Sequence, residues 1–142
     1  MAVLTADKTR ISSGDGHGIE VPVAASTEIF LGSIVALDAS GYAIPATDTA
    51  ALAIGGIATA HVDNSAGANG DLTIVLQRGH VERLNHSALV QADLFKNVVV
   101  SDDNVVTDAA AATNDLKVGT LVALPSSGVA DVLIGVFADV SA

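Results

Sequence analysis

Cysteine is absent from the 142 residues, which removes disulfides, thiolate catalysis and Cys-based zinc sites from consideration. Tryptophan is absent as well, and one Tyr and three Phe make up the whole aromatic content, 3% of the chain. Half of the residues are nevertheless hydrophobic, so the apolar mass is Ala, Val, Leu and Ile. Such a chain cannot fill a wide core with a few rings; it needs thin, closely spaced layers. Charge is scarce too, at 15% of residues against about 25% in ordinary soluble domains. A monomer this poor in charge exposes apolar surface unless it buries that surface against copies of itself or a partner. Positive charge is scarcest of all. Lys8, Arg10, Arg78, Arg83, Lys96 and Lys117 face sixteen acidic residues, for a net charge of −10. With no basic stripe and no aromatic stacking platform, nothing is present to neutralise phosphates, and nucleic acid is not an expected partner. Long apolar runs are also missing. "AALAIGGIATA" is too short and too rich in Gly to cross a bilayer, so no membrane partner is expected. The first residues, "MAVLTADKTRISSGDGHG", lack the apolar signal core of about 7–15 residues, and synthesis in a cytoplasm without signal-peptide export is expected.

What the chain does have is short apolar strands punctuated by turn residues. Residues 1–20 read as a flexible N-terminal arm. Ser12, Ser13, Gly14, Gly16 and Gly18 crowd together, and two basic against three acidic residues give the arm a net −1, leaving −9 for the rest. From Ile19 onward "IEVPVAA" alternates as a strand does. "SIVALDASGYAIPA" reads as a hairpin, with strands Ser33–Leu37 and Tyr42–Ala46 about the turn "DASG". "IGGIATAHVD" reads as a third strand, and "DLTIVLQRGHVERL" as a longer one with a turn or bulge at Arg78-Gly79. "NVVVSDDNVVTD" is a second hairpin around "SDDN", and "KVGTLVALPSSGVADVLIGVFADV" supplies two final strands around "PSSG". Val99 and Leu133 are expected in the core of these strands. Helix is scarce; the candidates are "HSALVQADLF", His86–Phe95, with Asn85 or Ser87 as cap, and a turn near "TDTAAL". The expectation is an all-β chain, a small β-barrel or sandwich of β-tulip-like form with one short helix, and one β-rich domain over 21–142.

The chain also resembles itself. "IFLGSIVALDASGYAIPATDTAALAIGGIATA" and "LFKNVVVSDDNVVTDAAAATNDLKVGTLVAL" each contain a Phe-led strand, an acidic turn, a return strand, an Ala/Thr/Asp connector and an apolar strand with Gly. Each is followed by an Asp-led strand, "DLTIVL" or "DVLIGV". Aligning Gly55 with Gly119 sets a spacing of about 64 residues and two similar halves, about 29–84 and 94–140.

Candidate chemistry is thin. His80 and His86 share a strand face by even spacing with Glu82 between them, but two arginines intrude and no further ligand completes a metal set. "GDGHG" (Gly14–Gly18) lacks the lysine and the strand–helix setting of a phosphate loop and reads as a hinge. "DASG" and "SDDN" fit turn chemistry, not a calcium loop. No nucleophile elbow is present. No catalytic, metal or cofactor-binding residue and no enzymatic activity are expected.

The segments "ALDASGYAIPATD", "AIGGIATAHVD", "DLTIVLQRGHVE" with "LNHSAL", and "VVVSDDNVVTD…LKVGTLVAL…VLIGVF" together resemble the head-decoration, or capsid cement, proteins of tailed phages, the lambda-type decoration protein among them. The resemblance covers about Ile29 to the C-terminus and rests on the order of strands and turns. It implies a homotrimer on the outer surface of a virion capsid, made in the host cytoplasm. There it would clamp neighbouring major capsid protein subunits near three-fold positions. It also implies that the N-terminal arm orders on the shell. No family motif falls on 1–20, and Lys8, Arg10 and Ile11 are the arm residues expected to meet the capsid. Two other readings remain: a small β-barrel binding module for a ligand or glycan, disfavoured by the lack of aromatic faces, and another structural part of a virion, such as a tail or baseplate piece.

Overall fold

The structure is a computed structural model, and it describes residues 18–138 and 140–142. The arm candidates Lys8, Arg10 and Ile11 lie outside the described residues. Gly18, Ile19 and Glu20, which the sequence reading placed in the arm, already belong to the first strand. The chain is all-β. Its strands are β1 Gly18–Pro22, β2 Thr27–Ile29, β3 Ile34–Leu37, β4 Ala43–Pro45, β5 Ala53–Ala58, β6 Val62–Asn64, β7 Thr73–Gln77, β8 Val81–His86, β9 Asn97–Val100, β10 Val105–Thr107, β11 Lys117–Ser126 and β12 Val129–Ile134. Strands β1-β7-β5-β3-β4 form one sheet, β10-β8-β12-β11-β9 close into a barrel, and β2 pairs with β6 alone.

Both hairpins form where turn chemistry placed them. The Asp38 carboxylate accepts hydrogen bonds from the backbone N–H of Ser40 (2.9 Å) and Tyr42 (3.0 Å). Asp102 does the same for Asn104 (2.8 Å) and Val105 (2.9 Å). An Asp that satisfies backbone donors two to four residues on mimics a backbone turn and fixes the reversal.

Three readings of the sequence change. "DLTIVLQRGHVERL" is two strands in two different sheets, because Gly79 takes φ +72° and redirects the chain between β7 and β8. "IGGIATAHVD" is likewise broken at Thr59–His61, its second part becoming β6. The helix expected over His86–Phe95 shrinks to one 3-10 turn at Gln91–Asp93. His86 closes β8, Ala88 and Phe95 take φ of +63° and +64°, and Val90 is extended. The Asp93 side chain accepts from the Val90 N–H at 2.9 Å, which stabilises a single turn and nothing longer.

The two five-stranded units share one pairing diagram at a displacement of 63 residues. Ile34↔Ile57, Val35↔Gly56 and Ala36↔Ile54 in β3–β5 reappear as Asn97↔Thr120, Val98↔Gly119 and Val99↔Lys117 in β9–β11. Turn hydrogen bonds repeat as well. Gly32 N–H to Ala58 O (3.0 Å) matches Phe95 N–H to Leu121 O (2.7 Å), and Ala58 N–H to Ser33 O matches Leu121 N–H to Lys96 O, both 2.9 Å. The parallel contact of β8 with β10, which closes the barrel at His86↔Val106, has its counterpart in the single parallel bridge Val23↔Ala43. Equivalence therefore runs through Gly56 and Gly119, one residue away from the alignment of Gly55 with Gly119. For β7 and β12 the displacement falls to 56, as Ile57↔Gln77 against Thr120↔Leu133 shows. The first unit carries seven more residues there, and β6 lies in that excess.

The interiors obey the same alignment. Val23, Val35, Ala43, Ala58, Ile74 and Leu76 fill the first unit. Val98, Val106, Leu121, Ala130 and Val132 fill the matching places in the second, where His86 stands for Val23. Volume is conserved by exchange: Ala58 with Ile74 becomes Leu121 with Ala130. The bulged Gly55 beside Leu76 becomes Val118 beside Val132; a Cβ on Gly55 would lie 2.7 Å from Leu76 Cδ1. Close-packed interiors tolerate such volume-conserving swaps. Ile34, Ala36 and Ile57, on the other face of the first sheet, join the second cluster, so the units share a core. Val99 is fully buried as expected, whereas Leu133 is only half-buried; Val132 and Ile134 turn inward instead.

Side-chain staples add to this contact. The Asp48 carboxylate, after β4, accepts from the backbone N–H of Thr113 (2.7 Å) and Asn114 (2.9 Å), and Asn114 Nδ2 donates to Asp48 O at 2.9 Å. The Thr113 N–H above all, then those of Asn114, hold the Asp48 carboxyl below the ordinary carboxylate range. A depressed folded-state pKa contributes stability above the unfolded value and loses it as pH falls through the folded value. Asp48→Ala is therefore expected to lower Tm near neutrality, with the gap to wild type shrinking as pH falls below the usual 3.8. Thermal denaturation of both proteins across acid pH checks this; a gap constant with pH contradicts it.

Candidate functional site

A core of Val, Ile, Leu and Ala leaves the aromatic residues to the surface. Phe30, Phe95 and Phe137 are 57%, 69% and 48% exposed. All three Phe of the chain thus lie outside the core, and they fall in two places.

The first place is the turn before β3. Phe30, Leu31, Gly32 and Ser33 line an open depression of about 380 Å³ together with Asp103 and Asn104 from the β9–β10 turn. The two turns are tied by Ile34 N–H donating to Asp103 O at 2.8 Å. The Phe30 ring stacks on His61, with centroids 4.9 Å apart, and His61 Nε2 lies 2.9 Å from Glu28 Oε2. β2 and β6 bring these side chains together through the pair Ile29↔Val62. The lining of the depression is more polar than apolar, with Ser33, Asp103 and Asn104 beside Phe30 and Leu31.

The second place surrounds the start of β9. Phe95 occupies the position equivalent to Gly32, and Lys96 the position of Ser33. The buried Asn97 anchors the C-terminal segment here. Its Nδ2 donates to Ala138 O (2.8 Å), its Oδ1 accepts from Ala138 N–H (2.7 Å), and its N–H donates to Val140 O (2.8 Å). Thr120 Oγ1 donates to Val136 O at 2.7 Å. Val136, Phe137 and Val140 are thereby held beside β9 and β11, each about half exposed.

The histidine candidates assemble no centre. His80 Nε2 is 2.8 Å from Glu82 Oε2, but His86 stands four residues further along β8, at the other end of the strand. Among the described residues no three His, Asp or Glu side chains converge as a metal set would. Arg83 pairs with Asp131 at 2.8 Å, which lowers the Asp131 pKa; the guanidinium is thus engaged and not offered to a ligand. Arg78 Nη1 donates to Gly55 O at 3.1 Å, and its guanidinium lies against Gly135.

The sequence reading took Phe30 and Phe95 as the leads of buried strands. Phe30 instead sits four positions before the first residue of β3, and Phe95 two positions before the first residue of β9. The "LGS" after Phe30 is the local clue, because Gly32 takes φ +86° and turns the chain before Ile34. No comparable clue marks Phe95, which takes φ +64° without being Gly. A scan against protein-family models finds no match for the chain, and a search of curated proteins finds none.

Proposed function

We propose that this protein is a structural virion component that binds the outer surface of a tailed-phage capsid as a homotrimer and strengthens contacts between major capsid protein subunits. The observation that carries this reading is the placement of every Phe at the surface over a core of small aliphatic residues. Exposed aromatic side chains are the usual anchors of protein interfaces, while a core without them gives a thin, rigid body. The order of strands and turns, and its resemblance to decoration proteins, supplies the kind of partner. In this reading the arm residues Lys8, Arg10 and Ile11 add capsid contacts, and the protein needs no cofactor and performs no catalysis.

A cement acts by mass action. Binding only the assembled shell stabilises it by RT ln(1 + [L]/Kd) per site, about 2.7 kcal/mol at a hundredfold excess over Kd, and many sites act on one particle. The test is heat rupture of capsids lacking this chain, with purified protein added back. The expected result is a higher rupture temperature that saturates with protein. Lys8→Ala/Arg10→Ala/Ile11→Ala is expected to require more protein for the same effect. Shells that rupture alike with and without it would end the cementing proposal. The depression at Phe30 favours a second reading, a small-ligand binding module, in which the chain would leave capsids unaffected.

A further inference from the structure

The connection from β6 to β7 acts as a strap across residues 23–25. Asn64 Nδ2 donates to Ala24 O (2.9 Å) and Ala68 O (3.0 Å). Gly70 N–H donates to Val23 O (2.9 Å), and Asn69 Oδ1 accepts from Ala25 N–H (2.7 Å). The strap fixes the stretch whose bridge Val23↔Ala43 links the two edges of the first sheet.

Two of these bonds fall on one dipeptide with chemistry of its own. Of the six asparagines, Asn69 alone is followed by glycine. The turn itself requires that glycine, because Gly70 takes φ +79°. Without a Cβ, nothing shields the Gly70 nitrogen from the asparagine side chain before it. Asn69 is exposed, so water reaches it.

We propose that the Asn69-Gly70 dipeptide is a site of spontaneous deamidation, held unreactive until the strap lifts from residues 23–25. Gly70 N bonds to Asn69 Cγ, and the Cγ–Nδ2 bond breaks. The Nδ2 group leaves as ammonia with the proton that Gly70 N gives up, and a succinimide ring remains. Water then opens the ring. Breaking the new N–Cγ bond yields aspartate. Breaking the original bond from Gly70 N to the Asn69 carbonyl carbon yields isoaspartate, with the main chain rerouted through the side chain. Either way one water enters and one ammonia leaves.

The folded geometry opposes the first step twice. The electron pair that deprotonation leaves on Gly70 N lies where the N–H pointed, toward Val23 O, and is not offered to Asn69 Cγ. The Asn69 amide is itself held at Oδ1 by Ala25 N–H. One local opening of the strap frees both groups. The products differ in consequence. Aspartate still offers an oxygen to Ala25 N–H. Isoaspartate adds a carbon to the main chain and displaces Gly70, so the strap does not close again over Val23.

The experiment incubates the full chain in mildly alkaline buffer, folded and in urea, and reads residue 69 by peptide mass mapping. Conversion is expected to be roughly tenfold or more slower in the folded chain. The slowing is expected to match the hydrogen-exchange protection of the Gly70 amide, since one opening governs both. Asn64→Ala loosens the strap without touching the dipeptide. Folded by circular dichroism, it is expected to convert faster than wild type and to lose Gly70 protection by the same factor. Should that variant not fold, wild type in urea below its transition takes its place, and both rates are expected to rise together. The isoaspartyl chain is expected to show a lowered Tm, and Asn69→Asp a Tm close to wild type. A Gly70 amide that stays protected while Asn69 converts as fast as in urea overturns the proposal. So does an unfolded chain that leaves Asn69 intact.

Discussion

Gly119→Ala is expected to yield a protein that does not hold its fold at room temperature. Gly119 sits in β11 opposite Ile134 of β12, where the two strands form a seam of the barrel. A Cβ there would fall on the Leu133 carbonyl oxygen, with the Leu133 carbonyl carbon at 2.8 Å and Ile134 Cα at 3.1 Å. These are all backbone atoms of a strand paired on both sides, so no rotamer change relieves the overlap. The strands must part, and their ladder of hydrogen bonds with them. A cost on the order of 5 kcal/mol is the scale of such overpacking with lost pairing, against a total stability of roughly 5–15 kcal/mol for a domain. Gly128→Ala is the control. It lies in the β11–β12 turn at φ +75° with nothing within 4 Å, and only the left-handed backbone penalty of about 1–2 kcal/mol applies. Urea denaturation of the two variants separates them, and a Gly119→Ala midpoint close to wild type would show that the seam can open without loss.

Val98→Asp is expected to be as damaging, by a different route. Val98 is fully buried at the centre of the second core cluster, in a strand paired with both β10 and β11. A carboxylate there has no partner, and burying it costs several kcal/mol whether it stays charged or takes up a proton. Val98→Ala removes only packing and is expected to cost about 2–4 kcal/mol. Val35 is its equivalent in the first unit, also fully buried, and Val35→Asp is expected to unfold the whole chain too. Ile34 and Ala36, its neighbours in β3, pack into the same cluster as Val98, which couples the units. Denaturation followed by far-UV and Tyr42 fluorescence probes this. Coincident transitions in Val35→Ala and Val98→Ala indicate one cooperative body, and two separated transitions indicate independent units.

The all-β class was legible in the sequence because its signals are local. Asp38 and Asp102 make their turns with donors two to four residues away, and the aliphatic runs on either side pair across those turns. The repeat was legible for the same reason, since a duplicated order of hairpin, connector and Gly strand can be read without knowing what pairs with what. His86–Phe95 misled because its apolar spacing suits a helix. The competing demand came from elsewhere in the chain: Ser87 N–H bonds to Val106 O, and Phe95 N–H to Leu121 O, which hold the segment at two points and leave room for one turn.

The aliphatic composition by itself determined that the core would be thin and that rings would not fill it. It could not determine where the rings would go, since a Phe before a strand is buried or exposed according to the turn that precedes the strand. Only the tertiary structure decided that Gly56, not Gly55, is the partner of Gly119. A bulge adds one residue to one strand, and its position is set by which carbonyls face each other across the pair. Tertiary structure alone also set Gly32 and Phe95 at equivalent positions, one without a side chain and one bearing an exposed ring. Side-chain identity is written in the chain; equivalence in space depends on pairings between residues more than twenty positions apart, and those come into being only when the sheets close.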